Sequence, residues 1–305
     1  MGTATMLEQR RVDFNVGDGV SLAADVFGTN LLGVVILAHG GGQTRHSWAG
    51  TAQKLAAEGW EVIALDLRGH GDSSWAADGE YGIERFGADL VEVARHQKGG
   101  AHLVGASLGG LAGLVAEAEV APGSFRSLTL VDIVPRMEPT GVARIMGFMA
   151  TNLERGFDSL EAAAEAIGAY VPHRPRPTDL SGLRKNLRLG DDGRYRWHWD
   201  PSFASGVRRG RTETDMAALE EQAARIAIPV HLIRGRLSEL VSAEAAQAFI
   251  QRIPGGVLTD VAGAAHMIAG DRNDLFTDAV LAFLGSVAEP SHGSDNRMPS
   301  GQRHR

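Results

Sequence analysis

An α/β fold, a parallel sheet with helices packed on its faces, is predicted by three features of the 305-residue chain. Short buried-looking apolar runs recur at Val34–Ala38, Val62–Leu67, His102–Gly105 and Leu128–Val134. The stretches between them carry apolar residues at helical spacing. Each of the first three runs also ends in a glycine-bearing loop, where an open parallel sheet forms its sites.

The elements follow in order. Val12, Phe14 and Val16 alternate, as do Val20, Leu22 and Ala24, on either side of Gly17-Asp18-Gly19, so the segment from Arg11 to Gly28 reads as an antiparallel hairpin. Helices are expected at Trp48–Glu58, Ile83–His96 and Ser107–Glu117. After Val134 the rhythm stops for about 75 residues, with helical pieces, the proline-rich stretch Val171–Pro177 and the aromatic group Tyr195–Trp199. This segment is expected to be a lid inserted over the site. The rhythm resumes with a strand at Val230–Arg234, a helix at Ala243–Arg252, a strand at Val257–Val261 and a helix at Leu275–Leu284. The expected organisation is therefore a core made of residues 1–134 and 213–288, a lid over 135–212, and a polar, aperiodic tail over 289–305 that should be disordered.

Composition narrows the function classes. With 44% hydrophobic and 22% charged residues, the bulk of the chain should fold. A net charge of −7 gives no general attraction for phosphate backbones or anionic membranes, so neither nucleic acid nor a membrane is an expected partner. The expected partners are a small-molecule substrate and, at most, a second copy of the chain in a homodimer. The absence of cysteine removes disulfides, thiolate metal sites and a cysteine nucleophile. The first residues, MGTATMLEQRR, lack the apolar core of a secretory leader, and no apolar run approaches the roughly 20 residues that span a bilayer. A cytoplasmic protein is expected. Neither G-x-x-x-x-G-K-[ST], nor G-x-G-x-x-G after the first βα turn, nor H-E-x-x-H occurs, so no cofactor or metal is implied.

Gly105-Ala106-Ser107-Leu108-Gly109 fits G-x-S-x-G between an apolar strand and a small-residue helix, the setting in which a serine projects from a sharp turn. A serine hydroxyl attacks carbonyls only when a base takes its proton, and imidazole titrates in the right range. Of 11 histidines, His266 lies after a late strand in the small-residue loop Gly263-Ala264-Ala265-His266-Met267. His39, His70, His96, His102, His173, His198 and His231 have plainer places in loops, strands, a helix or the lid. A carboxylate between serine and histidine in the chain would orient the base. Two qualify, Asp132 at the end of Leu128–Val134 and Glu239 after Val230–Arg234. An oxyanion formed in the reaction needs backbone N–H donors, and Leu108 and Gly41 are placed to supply them. In the lid, Tyr195, Trp197, His198 and Trp199 would wall a substrate, and Arg184, Lys185 and Arg188 would hold an anionic group; the plainer reading is packing of the insertion onto its domain and a solvated charged face.

The elbow, the His39-Gly40 loop, the Asp66-Leu67-Arg68-Gly69-His70-Gly71 segment and the late His266, in that arrangement, resemble the α/β-hydrolase family from about Arg11 to Leu284. The resemblance implies an eight-stranded, mostly parallel sheet, a helical cap after the sixth strand and no cofactor. Many members carry aspartate three residues after the glycine matching Gly235, where this chain has Ser238 followed by Glu239. Haloalkane dehalogenases and an amide hydrolase of pyridoxine breakdown carry the acid one strand earlier, and that likeness favours Asp132 over Glu239. The aspartate nucleophile of the dehalogenases and epoxide hydrolases is replaced here by Ser107. Hydrolysis of a small ester, lactone or amide, or cleavage of a diketone carbon–carbon bond, is what the resemblance implies. A cofactor-free oxygenase or perhydrolase and a ligand-binding receptor are the competing expectations on the same frame.

Overall fold

The computed structural model describes residues 9–172, 179–208 and 211–288. Most of the proline-rich stretch, with His173, and the expected disordered tail over 289–305 lie outside the described residues.

Among the described residues ten strands and ten α-helices make up the fold. The strands are β1 (Gln9–Asn15), β2 (Ser21–Phe27), β3 (Val34–Ala38), β4 (Glu61–Leu65), β5 (Ala101–Ala106), β6 (Ser127–Val131), β7 (Leu187–Leu189), β8 (Tyr195–Trp197), β9 (Val230–Gly235) and β10 (Val257–Val261). The helices before the sixth strand are α1 (Ala49–Ala57), α2 (Ile83–Arg95) and α3 (Leu108–Val115). Beyond it come α4 (Pro139–Ala150), α5 (Leu160–Tyr170), α6 (Pro201–Arg208), α7 (Glu213–Ala223), α8 (Ala243–Ile250), α9 (Ile268–Asp271) and α10 (Asn273–Val287).

Eight strands form one sheet in the order β1-β2-β4-β3-β5-β6-β9-β10. Only β1/β2 and β2/β4 run antiparallel; every other pair is parallel. The opening hairpin turns on three successive residues of positive φ, Gly17 (89°), Asp18 (51°) and Gly19 (72°), a conformation that two glycines and an aspartate tolerate. The central strands are buried on both faces, which is why they read as unbroken apolar runs. In β3, Val34, Ile36 and Ala38 join the core containing Phe86 and Leu90 of α2, while Val35 and Leu37 join the opposite core with Leu55 of α1 and Phe276 of α10.

The chain leaves this sheet after β6 and returns at β9, and the segment between differs from an all-helical expectation. Besides α4 to α7 it holds an antiparallel pair, β7 with β8, in which Leu187 faces Trp197. The alternation Leu-Arg-Leu, a Gly190–Gly193 turn and Tyr-Arg-Trp carried that signal in the sequence. Several boundaries also move, two of them for a visible reason. The sixth strand stops at Val131 instead of Val134 because Asp132 takes φ +50°, and α3 ends at Val115 in a π turn over Ala116–Val120. Among the described residues no helix is long and apolar enough to cross a membrane.

Candidate active site

Ser107 occupies the single residue between β5 and α3, at φ +46° and ψ −110°. A non-glycine residue there costs on the order of 1–3 kcal/mol, and the surroundings must impose it. They do so from three sides. The Ser107 N–H donates to the Val131 carbonyl (3.1 Å), the Gly109 N–H to the His39 carbonyl (3.1 Å) and the Leu111 N–H to the Ser107 carbonyl (2.8 Å). The glycines of the motif have a steric cause. A Cβ on Gly105 would stand 2.5 Å from the Gly109 carbonyl carbon, and one on Gly109 would stand 2.5 Å from the Ala38 oxygen. Helix and strand therefore approach to backbone contact, and the serine is lifted at the sheet's carboxyl edge.

One strand over, Asp132 follows β6 fully buried at φ +50°, its N–H donating to the Ile233 carbonyl (2.7 Å). Its Oδ1 accepts the Gly235 N–H (3.1 Å), and its Oδ2 accepts both the Ser238 hydroxyl (2.5 Å) and Nδ1–H of His266 (2.9 Å). The loop bearing His266 is seated by Leu237 N–H on the Ala264 carbonyl (2.9 Å) and by Ala265 N–H on Asp271 Oδ2 (3.0 Å). A Cβ on Gly235 would lie 2.4 Å from the Ala265 oxygen, so this glycine lets the base loop close over β9 while its N–H holds the carboxylate. Glu239 goes elsewhere, to an ion pair with Arg144 of α4. With its Nδ1 committed to a carboxylate, His266 carries its lone pair on Nε2, the arrangement of a general base.

The loop after β3 lies against the serine. The nearest side-chain atoms to a Cβ on Gly40 would be Gln43 Oε1 at 3.1 Å and the Ser107 Cβ at 3.4 Å. The Gly40 N–H goes to Gln43 Oε1 (3.0 Å) and the Gly42 N–H to His70 Nε2 (3.1 Å), whereas those of Gly41 and Leu108 find no acceptor among the described residues. The segment between β6 and β9 roofs this loop. Phe203 Cζ would be 3.3 Å and Met149 Cε 3.8 Å from a Cβ on Gly41, and Trp199 Nε1 would be 3.7 Å from one on Gly42.

Two further histidines stand beside the site without being bases. His39 donates from Nδ1 to the Gly40 carbonyl (2.8 Å) and accepts the Leu67 N–H at Nε2 (3.0 Å). His70 donates from Nδ1 to the Arg68 carbonyl (3.0 Å) while its Nε2 holds Gly42. Burial lowers their pKa values to about 4 and about 3, so both are neutral struts at pH 7.

A family model described as alpha/beta hydrolase fold matches residues 33–272 of this sequence. The chain belongs to the α/β-hydrolase family. Within it, the chain is 33% identical over 218 residues to the esterase Rv0045c of Mycobacterium tuberculosis, covering 68% of this chain and 67% of that protein. The crystal structure of that esterase superposes with a TM-score of 0.73 at 27% identity, covering 93% of this chain and 92% of the other. A non-heme chloroperoxidase of Burkholderia pyrrocinia is 26% identical over 267 residues, 82% of this chain and 91% of its own.

The other α/β-hydrolase segment singled out in the sequence, Asp66 to Gly71, is a buried brace. Asp66 accepts the N–H groups of Arg45 (2.6 Å) and Asp72 (2.9 Å) and pairs with the Arg45 guanidinium, while Arg68 forks onto Asp89 through two bonds of 2.6 Å. The same segment grips the insertion: Gly71 N–H donates to the His198 carbonyl and Asp200 N–H to the Gly69 carbonyl (both 2.8 Å). Tyr195 lies in β8 and Trp197 packs on Phe148 and Phe157, so most of the aromatic group packs the insertion, and Trp199 also reaches the roof. Arg184 and Lys185 are exposed, and Arg188 is spent on the Gly71 carbonyl (2.8 Å) and the Trp75 face. Sequence reasoning missed Met149 and Phe203, because nothing local marks a residue whose partners lie a hundred positions away, and it noted Ser238 only as a departure from the usual place of the acid.

Proposed function

We propose that the chain hydrolyses small carboxylic esters by acyl transfer through Ser107, His266 and Asp132. The observation that carries this reading is the bond from His266 Nδ1 to the buried Asp132 carboxylate, beside a serine held at positive φ on a strand-to-helix turn. In the proposed sequence Ser107 Oγ attacks the ester carbonyl as its proton passes to His266 Nε2. The N–H groups of Gly41 and Leu108 take the negative charge that develops on the carbonyl oxygen. His266 returns the proton to the departing alcohol, and water, deprotonated by the same nitrogen, releases the acid and restores the serine. The esterase relative supports an ester as the substrate. Phe203 and Met149 over Gly41 support an uncharged, apolar acyl group.

A fluorophosphonate probe read by intact mass tests the reading. Wild type should gain one adduct, Ser107→Ala none, and His266→Ala and Asp132→Asn should label far more slowly, with Glu239→Gln like wild type. An unlabelled wild type would overturn it. The likeness to a chloroperoxidase favours a second reading, in which hydrogen peroxide replaces water as acceptor of the acyl group and a peroxy acid is released with the free serine. Peroxy-acid formation from ester and peroxide, lost in Ser107→Ala, is its expected mark.

A further inference from the structure

We infer that Ser238 is a positioning residue for the reaction: its hydroxyl sets the orientation of the Asp132 carboxylate toward His266. The inference rests on the triad proposed above. A hydroxyl has one proton and two lone pairs. Both lone pairs of Ser238 Oγ are taken, by the N–H groups of Leu240 and Val241 at 3.1 Å each. Toward Asp132 Oδ2, 2.5 Å away, this oxygen is therefore left only with its proton to give. The direction of that hydrogen bond is fixed by the turn itself.

The consequence for Asp132 is geometric. Its two oxygens are gripped from one short segment, Oδ1 by the Gly235 N–H and Oδ2 by the Ser238 hydroxyl, and that segment is closed by the Ser238 N–H on the Gly235 carbonyl (2.9 Å). Rotation of the carboxylate about its own axis would break one of these bonds. The plane of the acid is thus set by the turn after β9, and His266 meets an oxygen already in place. Among the described residues no lysine or arginine pairs with Asp132, so besides His266 its charge is carried by these two donors. A second carboxylate at 238 would sit against the first, where like charges disfavour joint ionisation; a hydroxyl serves the same point with a donor. The serine at 238 and the acid at 132 are one arrangement.

The test compares wild type, Ser238→Ala and Ser238→Thr in steady-state hydrolysis of a short-chain nitrophenyl ester, with the His266 Nδ1–H proton resonance followed by NMR. Ser238→Ala should lower kcat about 10-fold with KM within about 2-fold, and should move or broaden that resonance, because the carboxylate loses one of its two fixed donors. Ser238→Thr, which keeps the hydroxyl, should recover most of kcat and the resonance. If Ser238→Ala keeps kcat and the resonance, or if kcat falls only in step with melting temperature while the resonance stays, Ser238 merely caps the turn and the inference is wrong. Fluorophosphonate labelling of the same samples separates this failure from failure of the triad: a wild type that labels at Ser107 leaves the triad standing while Ser238 falls.

Discussion

His266 and the pair His39 and His70 stand around one site yet are held by opposite kinds of partner. Both nitrogens of His39 and of His70 are used up on backbone groups, one donating and one accepting, in full burial. A proton added to either ring would turn an acceptor into a donor facing an N–H. His266 has one nitrogen on a carboxylate and sits in a partly open loop, and among the described residues no backbone N–H group occupies its other nitrogen. The partners of an imidazole, rather than its position near a serine, separate a strut from a base.

The largest expected effect on this contrast is Ser107→Ala, which should cost about 10⁴-fold or more in kcat for ester hydrolysis. Melting should not suffer, and Ser107→Gly should melt at or above wild type because glycine takes φ +46° freely. Asp132→Asn should follow at about 10³- to 10⁴-fold, since an amide would favour the wrong tautomer of His266. Activity surviving in Asp132→Asn but not in Glu239→Gln would break the contrast at its base. Acid tests the struts. In the unfolded chain both histidines take up protons below their ordinary pKa of 6.5, while the folded values are about 4 and about 3. Their contribution is thus complete above pH 6.5 and is lost as the pH falls from there toward 4, at about 2–3 kcal/mol per pH unit for the two together. His102 and His231, each lowered to about 4 by burial, add the same sign. Denaturant titrations at pH 7, 6 and 5 should show this fall, and a flat profile would mean that the struts are not neutral. Gly235→Ala should lose about 1–3 kcal/mol of stability and some kcat, as the new Cβ displaces the His266 loop. Smallest of all, Glu239→Gln should leave kcat within about 3-fold, because Glu239 serves an exposed ion pair with Arg144.

Much of the frame was legible because it is written in local patterns. Apolar runs buried on both faces, the Gly17–Gly19 turn and the crowding glycines of the elbow each act within a few residues, so they show as periodicity or as small side chains. The β7/β8 pair was equally local and was overlooked beside its helical neighbours.

Local pattern alone gave the α/β frame and singled out the elbow serine, the late histidine and two candidate carboxylates. Which carboxylate meets His266 emerges from the folded chain, because the Gly235–Val241 turn and the loop after β10 converge on the end of β6, from positions 103 and 134 residues distant from Asp132. Tertiary structure also decided that Met149 and Phe203 roof the Gly41 loop and that His39 and His70 are spent as struts. Spacing along the chain records which side chains share an element; which of them share a hydrogen bond depends on how separate elements close in space.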